Sequence, residues 1–362
     1  MNAEALDLNA DRERIPGRLP VAPFFLVLTG LLLALNIGAL GTGAAPVGWA
    51  DIWHWLAPAT PGREAAVEQS MAVIGVIRLP RILLANLAGA GLALSGAALQ
   101  ALFRNPLADP GLLGISSGAA LGAGVMIVTG SFWLGSLAAW AGDLAVPLAA
   151  FMGALAATWL VRGLSGGRAH WAPTTTLLSG IAINALAGAG IGLLSYLADD
   201  AALRNFTFWS LGSLASATWR LLIPVFVLVV PGLIFLFRQA APLNMILLGE
   251  AEAGHAGVDV RQLRQRVIGL SALCIGALVA VTGIIGFIGL VAPHLVRMSI
   301  GPDHRRLLPG SALLGALLLG AADLGARTLA APAELPIGLL TSLIGGPFFL
   351  WLIRKETGES AL

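Results

Sequence analysis

The feature that most constrains this chain is a run of 30 residues, Val267 to Val296, without a single Asp, Glu, Lys or Arg. A helix that crosses a bilayer needs about 20 apolar residues. The run is therefore long enough for more than one crossing, and the glycines at 283, 286 and 289 predict a break inside it. Only 11% of the 362 residues are charged, against roughly 25% in soluble domains. These features exclude a water-soluble globule.

Apolar stretches recur along the whole chain and predict an all-α, polytopic membrane protein with about ten transmembrane helices. They cover residues 21–40, 82–103, 112–130, 144–161, 176–197, 221–237, 267–286, 288–300, 308–326 and 337–353. If the N-terminus is cytoplasmic, 15 basic residues lie inside and 6 lie outside. This bias follows the positive-inside rule and predicts that both termini are cytoplasmic.

The predicted membrane domain spans residues 21–355, between a cytoplasmic N-terminal tail, 1–20, and a C-terminal tail, 356–362. Two connections are long: a loop at 41–77 on the outside and a loop at 239–266 on the inside. The 239–266 loop is the most polar internal stretch, with an acidic half followed by a basic half. It is either a plain linker or a docking surface for a soluble partner.

Several classes of function lack their sequence signatures. Lys355 is the only lysine, and no G-x-x-x-x-G-K-[ST] motif surrounds it, so we predict that this chain does not hydrolyse ATP by itself. The five histidines are scattered and no H-E-x-x-H occurs, which argues against a metal site or an intramembrane metalloprotease. Cys274 is the single cysteine, and the few charges give no reason to expect nucleic acid. We predict no catalytic residue, and a secondary transporter remains the competing class.

Three long motifs carry a family resemblance. RLPRILLANLAGAGLALSGAALQALFRNPLADPGLLGISSGAALGA, residues 78–123, resembles the permease subunit of ABC importers for iron-siderophores, haem and cobalamin. LLGEAEAGHAGVDV, which leads into GIIGFIGLVAPHLVRMSIGPDHRRLLPGSALLGA, and ADLGARTLAAPAELPIGLLTSLIGGPFFLWLIR match as well. The similarity covers roughly residues 70–355.

The resemblance implies a type II ABC importer permease fold with ten spans per protomer. It implies a homodimer in the bacterial inner membrane with the translocation path at the dimer interface. Two cytoplasmic ATP-binding subunits would carry the ATP and Mg, and a periplasmic binding protein would deliver the cargo. This chain would bind no cofactor of its own.

The resemblance also assigns roles to individual residues. Arg78, Arg81 and Arg327 would meet acidic residues of the binding protein, although anchoring at the membrane interface is the alternative. The coupling helices that contact the ATPase would contain Gly249, Glu250, Glu252, Gly254 and Gly257. The glutamates would face basic residues of that partner, and Gly254 and Gly257 would allow a turn between two short helices. The alternative is a solvated linker.

Two further sites follow from the same resemblance. Thr174 and Thr175 are candidates for the cytoplasmic gate, with helix capping as the alternative. Arg204, Phe206, Phe208 and Trp209 are candidates for the substrate pathway, since aromatic rings and one cation suit a flat ligand that carries carboxylates. A short amphipathic helix at the membrane interface would have the same sequence pattern and is the alternative. This stretch favours haem as cargo, with a ferric siderophore or cobalamin as alternatives.

Asp323 is a charged residue inside the ninth predicted span. A charge at this position is costly and normally faces protein or water. Structural pairing with an arginine and a proton relay are both compatible with the sequence. We favour the pairing, because energy for transport by this family comes from ATP.

Overall fold

The computed structural model describes residues 19–43, 47–56, 65–130, 135–165, 173–331 and 333–359, and their regular structure is helical. The α-helices are α1 Val21–Gly41, α2 Trp49–Leu56, α3 Ala65–Ala72, α4 Leu79–Phe103, α5 Ile115–Thr129, α6 Gly135–Ala141, α7 Ala145–Leu164, α8 Pro173–Leu197, α9 Asp200–Ser210, α10 Trp219–Phe237, α11 Ala240–Leu248, α12 Glu250–His255, α13 Val260–Thr282, α14 Ile288–Ile300, α15 His304–Leu329 and α16 Ile337–Glu359. Short 3₁₀ turns at Pro110–Leu113 and Gly142–Leu144 precede α5 and α7.

Each of the ten apolar stretches coincides with a helix in the described part of the chain, which confirms the predicted fold class. These helices are α1, α4, α5, α7, α8, α10, α13, α14, α15 and α16. Seven of the ten are long and apolar enough to cross a bilayer, and α5, α14 and the apolar part of α16 are shorter. The charge-free run is interrupted between Thr282 and Ile288, as predicted, with left-handed backbone at Gly283 and Phe287. Gly289 lies inside α14 rather than in the break.

The two ends of the bundle are named after the predicted orientation. The outer end is the end at which α4 begins, and the inner end is the opposite one. At the outer end, the starts of α4 and α10 meet where the indole nitrogen of Trp219 donates to the carbonyl of Gly75 at 2.8 Å. At the inner end, the backbone N–H of Leu19 donates to the carbonyl of Ser299 at 2.9 Å, which joins the start of α1 to the end of α14.

The two predicted loops are more helical than expected. The 41–77 loop contains α2 and α3, and a π-helical stretch, Val73–Arg78, joins α3 to α4. Helix α4 begins at Leu79, before the apolar run that starts at residue 82, and Arg78 and Arg81 at its start are buried inside the protein. The 239–266 loop contains α11, α12 and the first turns of α13. The C-terminal boundary also moves, since α16 runs to Glu359; residues 1–18 and 360–362 of the predicted tails lie outside the described residues.

Helix α4 forms the centre of the bundle, buried along nearly its whole length. Its most extensive partner is α15, and the two backbones touch at Gly89 and Gly315. A Cβ on Gly89 would lie 2.2 Å from the carbonyl oxygen of Gly315, so a larger residue cannot occupy this position without moving a helix. Helices α5 and α7 form a second close pair, and α13 packs against α4, α7 and α10. Helix α1 lies at the periphery, with only Leu28 and Ala39 buried.

Candidate functional site

Two of the three outer arginines, Arg78 and Arg327, bind the C-terminus of α1. Carbonyls in the last turn of a helix have no partner within that helix. Arg78 donates to the carbonyl of Leu40, and Arg327 donates to those of Thr42 at 3.1 Å and Ala39 at 3.0 Å. Positive charge at a helix C-terminus also interacts favourably with the helix dipole. Arg78 and Arg327 therefore join α1 to α4 and α15.

Asp323 is held between two of these arginines. Its carboxylate lies 2.9 Å from Nε of Arg81 and 3.6 Å from Nε of Arg327. Arg81 also binds Glu334 at 2.8 Å, on the chain between α15 and α16. Removing one partner of such a buried pair typically costs about 3–5 kcal/mol. The structure thus agrees with the structural pairing predicted for Asp323.

The predicted docking arginines lie at the outer end but are not open to a partner. Arg78, Arg81 and Arg327 are only 4%, 8% and 7% exposed. In this conformation the chain itself binds all three guanidinium groups. Their role in docking stays a prediction, and it requires that the binding protein compete for groups already bound within the permease.

The 239–266 loop contains two short helices, α11 and α12, and the predicted coupling residues lie on α12 or next to it. Glu250 is paired with Arg264 of α13 at 3.2 Å. Glu252 is exposed and makes no ion pair with another described residue. Of the two predicted acidic contacts, Glu252 is therefore the one available to a partner.

Of the two glycines predicted to allow the turn, Gly257 lies in the turn that follows α12 and Gly254 does not. Gly249 has φ 128° and Gly257 has φ 84°, and side chains other than glycine rarely adopt these values. Gly249 separates α11 from α12, and Gly257 follows α12. Gly254 lies within α12 with ordinary helical backbone, and a Cβ there would meet open space. The sequence-based assignment of the interhelical turn to Gly254 was wrong, because spacing alone cannot distinguish a turn glycine from one on an exposed helix face.

No sequence motif marks Asn244, which joins this loop to the bundle. Asn244 of α11 donates through Nδ2 to Asp303 at 2.6 Å, and its Oδ1 accepts from the backbone N–H of His304 at 2.9 Å. Asp303 is the N-cap of α15 and also accepts from the backbone N–H of Arg305 at 3.0 Å. Burial alone would raise the pKa of Asp303, but the bonds from Asn244 and Arg305, with the charges of Arg305 and Arg306, hold the pKa below its usual value. The carboxylate is therefore ionised at neutral pH.

The two gate candidates lie in the first turn of α8. Thr174 and Thr175 are both exposed, whereas Thr176 beside them is buried. The preceding residues, 166–172, lie outside the described residues. The exposure of Thr174 and Thr175 leaves them free to face a second protein surface, and their gating role stays a prediction.

The four substrate-pathway candidates divide between two faces of α9. Phe206 and Trp209 stack with ring centroids 6.4 Å apart, and Phe206 lies against Gly124 of α5. Arg204 and Phe208 are four residues apart, so they share one helix face, and both are exposed. The expected continuous surface of three aromatics and a cation is thus reduced to Arg204 and Phe208, because the other two rings help to pack α9 onto the bundle.

A cavity that the sequence did not reveal lies just beyond α9. Its volume is about 420 Å³, and it is lined by Ser210, Leu211, Ile284, Gly286, Gly338, Leu339, Ser342 and Leu343. It forms where the break between α13 and α14 meets the start of α16, and the backbone N–H of Gly338 donates to the carbonyl of Leu211 there at 3.0 Å. The lining is mostly apolar with two hydroxyl groups. Residues from three distant parts of the sequence build it, so spacing could not have predicted it.

Comparison with known proteins gives consistent matches over nearly the whole chain. The FecCD transport family matches residues 31–355. The hemin transport system permease protein HmuU of Yersinia pestis is 49% identical over 327 residues, which cover 90% of this chain and 93% of that protein. The cobalamin import system permease protein BtuC of Halobacterium salinarum is 40% identical over 332 residues, 90% of this chain and 86% of that protein.

The fold has a counterpart among solved structures. An inward-facing transporter of the metal-chelate ABC type superimposes with a TM-score of 0.77 at 34% sequence identity. The match covers 91% of this chain and 98% of that chain. The ten helices, the helical 239–266 loop and these similarities agree, and the chain therefore belongs to the FecCD transport family and is a multi-pass membrane permease of the ABC importer class.

Proposed function

We propose that this chain is the permease subunit of an ATP-driven importer that moves haem from the periplasm to the cytoplasm. The observation that carries the proposal is the 49% identity over 327 residues with a hemin transport permease. The face of α9 that presents Arg204 and Phe208 supports it, since a flat apolar ring with carboxylates can stack on an aromatic side chain and pair with a guanidinium. The mostly apolar cavity at the end of α9 suits the same cargo.

The proposed assembly contains two copies of this chain, with the path at their interface. Two ATP-binding subunits, which hold the ATP and Mg, dock on α12 at the inner end. A periplasmic binding protein docks at the outer end, near Arg78, Arg81 and Arg327. The complex lies in the bacterial inner membrane with both permease termini in the cytoplasm. The exposed carboxylate of Glu252 and the absence of a P-loop from the sequence support an ATPase on a separate subunit.

Uptake by the reconstituted complex tests the proposal. The permease, its ATP-binding subunit and its binding protein are placed in proteoliposomes and offered haem, a ferric siderophore or cobalamin. We expect uptake of haem that requires ATP. The control omits the ATP-binding subunit, and uptake by the permease alone under an ion gradient would instead identify a secondary transporter.

Cobalamin is the second candidate cargo, because the cobalamin permease of Halobacterium salinarum is 40% identical to this chain. ATP-dependent import of cobalamin or of a ferric siderophore, with no import of haem, would overturn the cargo assignment. It would leave the assignment as an ATP-driven importer intact.

A further inference from the structure

Part of the cap of helix α15 is supplied by another helix, beside the N-cap residue Asp303. The first N–H groups of a helix have no acceptor within it. In α15 the N–H of His304 donates to Asn244 Oδ1 at 2.9 Å, and the Nδ1 of His304 lies 2.8 Å from the same oxygen. Asn244 Nδ2 binds the Asp303 carboxylate at 2.6 Å. The whole carboxamide of Asn244 is thus engaged with the start of α15.

Asn244 belongs to the same short segment as the proposed ATPase contacts. It lies on α11, which packs against α4 and α15 through a face that contains the buried side chains of Leu243 and Ile246. Helix α12 follows directly after Gly249. A second polar attachment of the α11–α12 segment is the Glu250–Arg264 pair with α13, where the Glu250 side chain is 47% exposed. The Asn244 junction is the more enclosed of the two, since His304 is only 2% exposed.

Helix α15 connects this junction to the opposite end of the molecule. Its 26 residues span about 39 Å at 1.5 Å per residue. Its last two turns contain Asp323 and Arg327, which bind α4 and α1. A displacement of α11 that is passed through Asn244 therefore moves a helix that reaches the outer end.

We propose that Asn244 is a positioning residue that fixes the α11–α12 segment to the start of α15, so that movement of the segment by the ATP-binding subunits is delivered to α15. The inference rests on the proposed function, because it takes α12 as the ATPase contact. The chemistry needs both ends of the carboxamide: an oxygen for the N–H of His304 and an N–H for the carboxylate of Asp303.

The Asn244 side chain donates one hydrogen bond and accepts another, so variants that change only the donor can test the inference. Asn244→Asp keeps the shape but removes the donor and places two carboxylates together. Adding Asp303→Asn restores one donor and one carboxylate with their positions exchanged, and an asparagine at 303 can still cap α15. Gln239→Glu is the matched control, since it makes the same amide-to-acid change nearby, where the amide donates to the carbonyl of Phe235 and not to α15 among the described residues.

The experiment uses the complete transporter in proteoliposomes and measures cargo imported per ATP hydrolysed, with haem as the probe. Loss of a hydrogen bond to a charged group corresponds to about a tenfold effect, so we expect N244D to lower the import-to-hydrolysis ratio about tenfold. The rate of ATP hydrolysis itself should remain close to wild type. The N244D/D303N double variant should recover most of the ratio, and Gln239→Glu should match wild type.

Hydrogen exchange of the backbone amides supplies a readout that does not depend on transport. In the wild-type complex, the amides of α11 and of the first turn of α15 should change protection together when nucleotide is added. A wild-type complex in which the two segments respond independently would overturn the inference, even if a variant fails to fold. The inference would also be overturned if N244D imported as much cargo per ATP hydrolysed as the wild type. The same holds if the double variant imported no more cargo per ATP than N244D.

Failure of the proposed function gives a different result. A wild-type complex that imports none of the three cargoes with ATP contradicts the proposed function. A wild-type complex that imports normally, together with an N244D complex that is indistinguishable from it, contradicts only the role of Asn244.

Discussion

Arg78 binds the carbonyl of Leu40 and is also proposed to bind the periplasmic binding protein. Reversing its charge, with stability measured in parallel, distinguishes the two roles. Because Arg is suited to paired bonds with carboxylates, we expect Arg78→Glu to weaken capture of the binding protein, most strongly at low ionic strength. Arg220→Glu is the control, since Arg220 is an exposed outer arginine paired with Asp143. Capture is measured by pull-down at several salt concentrations, and thermal unfolding is measured in parallel because Arg78 also binds Leu40. Unchanged capture at low salt would refute the docking role.

Arg204 is an exposed cation on α9, whose last residue, Ser210, lines the cavity. Its guanidinium is expected to guide a carboxylate of the cargo, and a charge-assisted bond of about 1.5–3 kcal/mol corresponds to roughly a tenfold change or more. We therefore expect Arg204→Ala to reduce haem import about tenfold in proteoliposomes at limiting cargo. Arg220→Ala serves as the control. Import by Arg204→Ala at the wild-type rate would remove this residue from the substrate pathway.

At the residue scale, the sequence identified which side chains matter at the outer end but not what they touch. Arg78, Arg81 and Arg327 were recognisable because the family resemblance covers these three positions. Their acceptors include backbone carbonyls of α1, and the carbonyl bound by Arg327 at Thr42 is 285 residues away in the chain. A carbonyl acceptor has no residue signature, so a motif cannot predict such a contact.

The contact between α4 and α15 depends on two glycines at the element scale. A Cβ on Gly315 would lie 2.3 Å from the carbonyl oxygen of Gly89, and overpacking of this kind costs about 1–3 kcal/mol. We expect Gly315→Ala to lower the midpoint of thermal unfolding of the purified permease. Gly30→Ala on α1 is the control, because nothing lies within 4 Å of its added Cβ. Equal midpoints for the two variants would contradict the close-contact argument.

A substitution at Gly254 tests whether the exposed face of α12 contacts a partner, without disturbing the fold of the permease. Because a Cβ at this position meets open space, Gly254→Trp should leave the thermal stability of the isolated permease unchanged. The indole should obstruct the proposed contact with the ATP-binding subunit. We expect reduced co-purification of that subunit and import uncoupled from ATP hydrolysis. Gly163→Trp, at another open helix position, is the control, and wild-type transport by Gly254→Trp would exclude α12 as the contact.

The ten membrane helices were predictable at the element scale because each requires a long apolar run. The break after Thr282 was predictable because glycine marks it. The helices of the 41–77 and 239–266 connections were not, since α2, α3, α11 and α12 contain fewer than ten residues each. Such short helices depend on packing rather than on intrinsic propensity, and that packing comes from distant segments such as the start of α15.

For the whole molecule, the proposed homodimer predicts a crosslink. If Thr174 lies at the gate near a two-fold axis, two copies of Thr174→Cys should approach each other and form an intermolecular disulfide under mild oxidation. Ile37→Cys, on the exposed outer part of peripheral α1, is the control. The native Cys274 is buried and should not interfere. A non-reducing gel measures the dimer, and equal crosslinking of both variants would contradict the gate position.

The attachment of α1 has a consequence for biosynthesis. Helix α1 leaves the ribosome before α4 and α15, yet only Leu28 and Ala39 of its residues are buried, and its end is held by Arg78 and Arg327. Arg327, which binds the end of α1, is translated 285 residues after Thr42, whose carbonyl it binds. During translation, α1 therefore inserts early, but its contacts with Arg327 form only after α15 has been made. A nascent chain truncated before Arg327 should leave α1 accessible to membrane quality-control proteases.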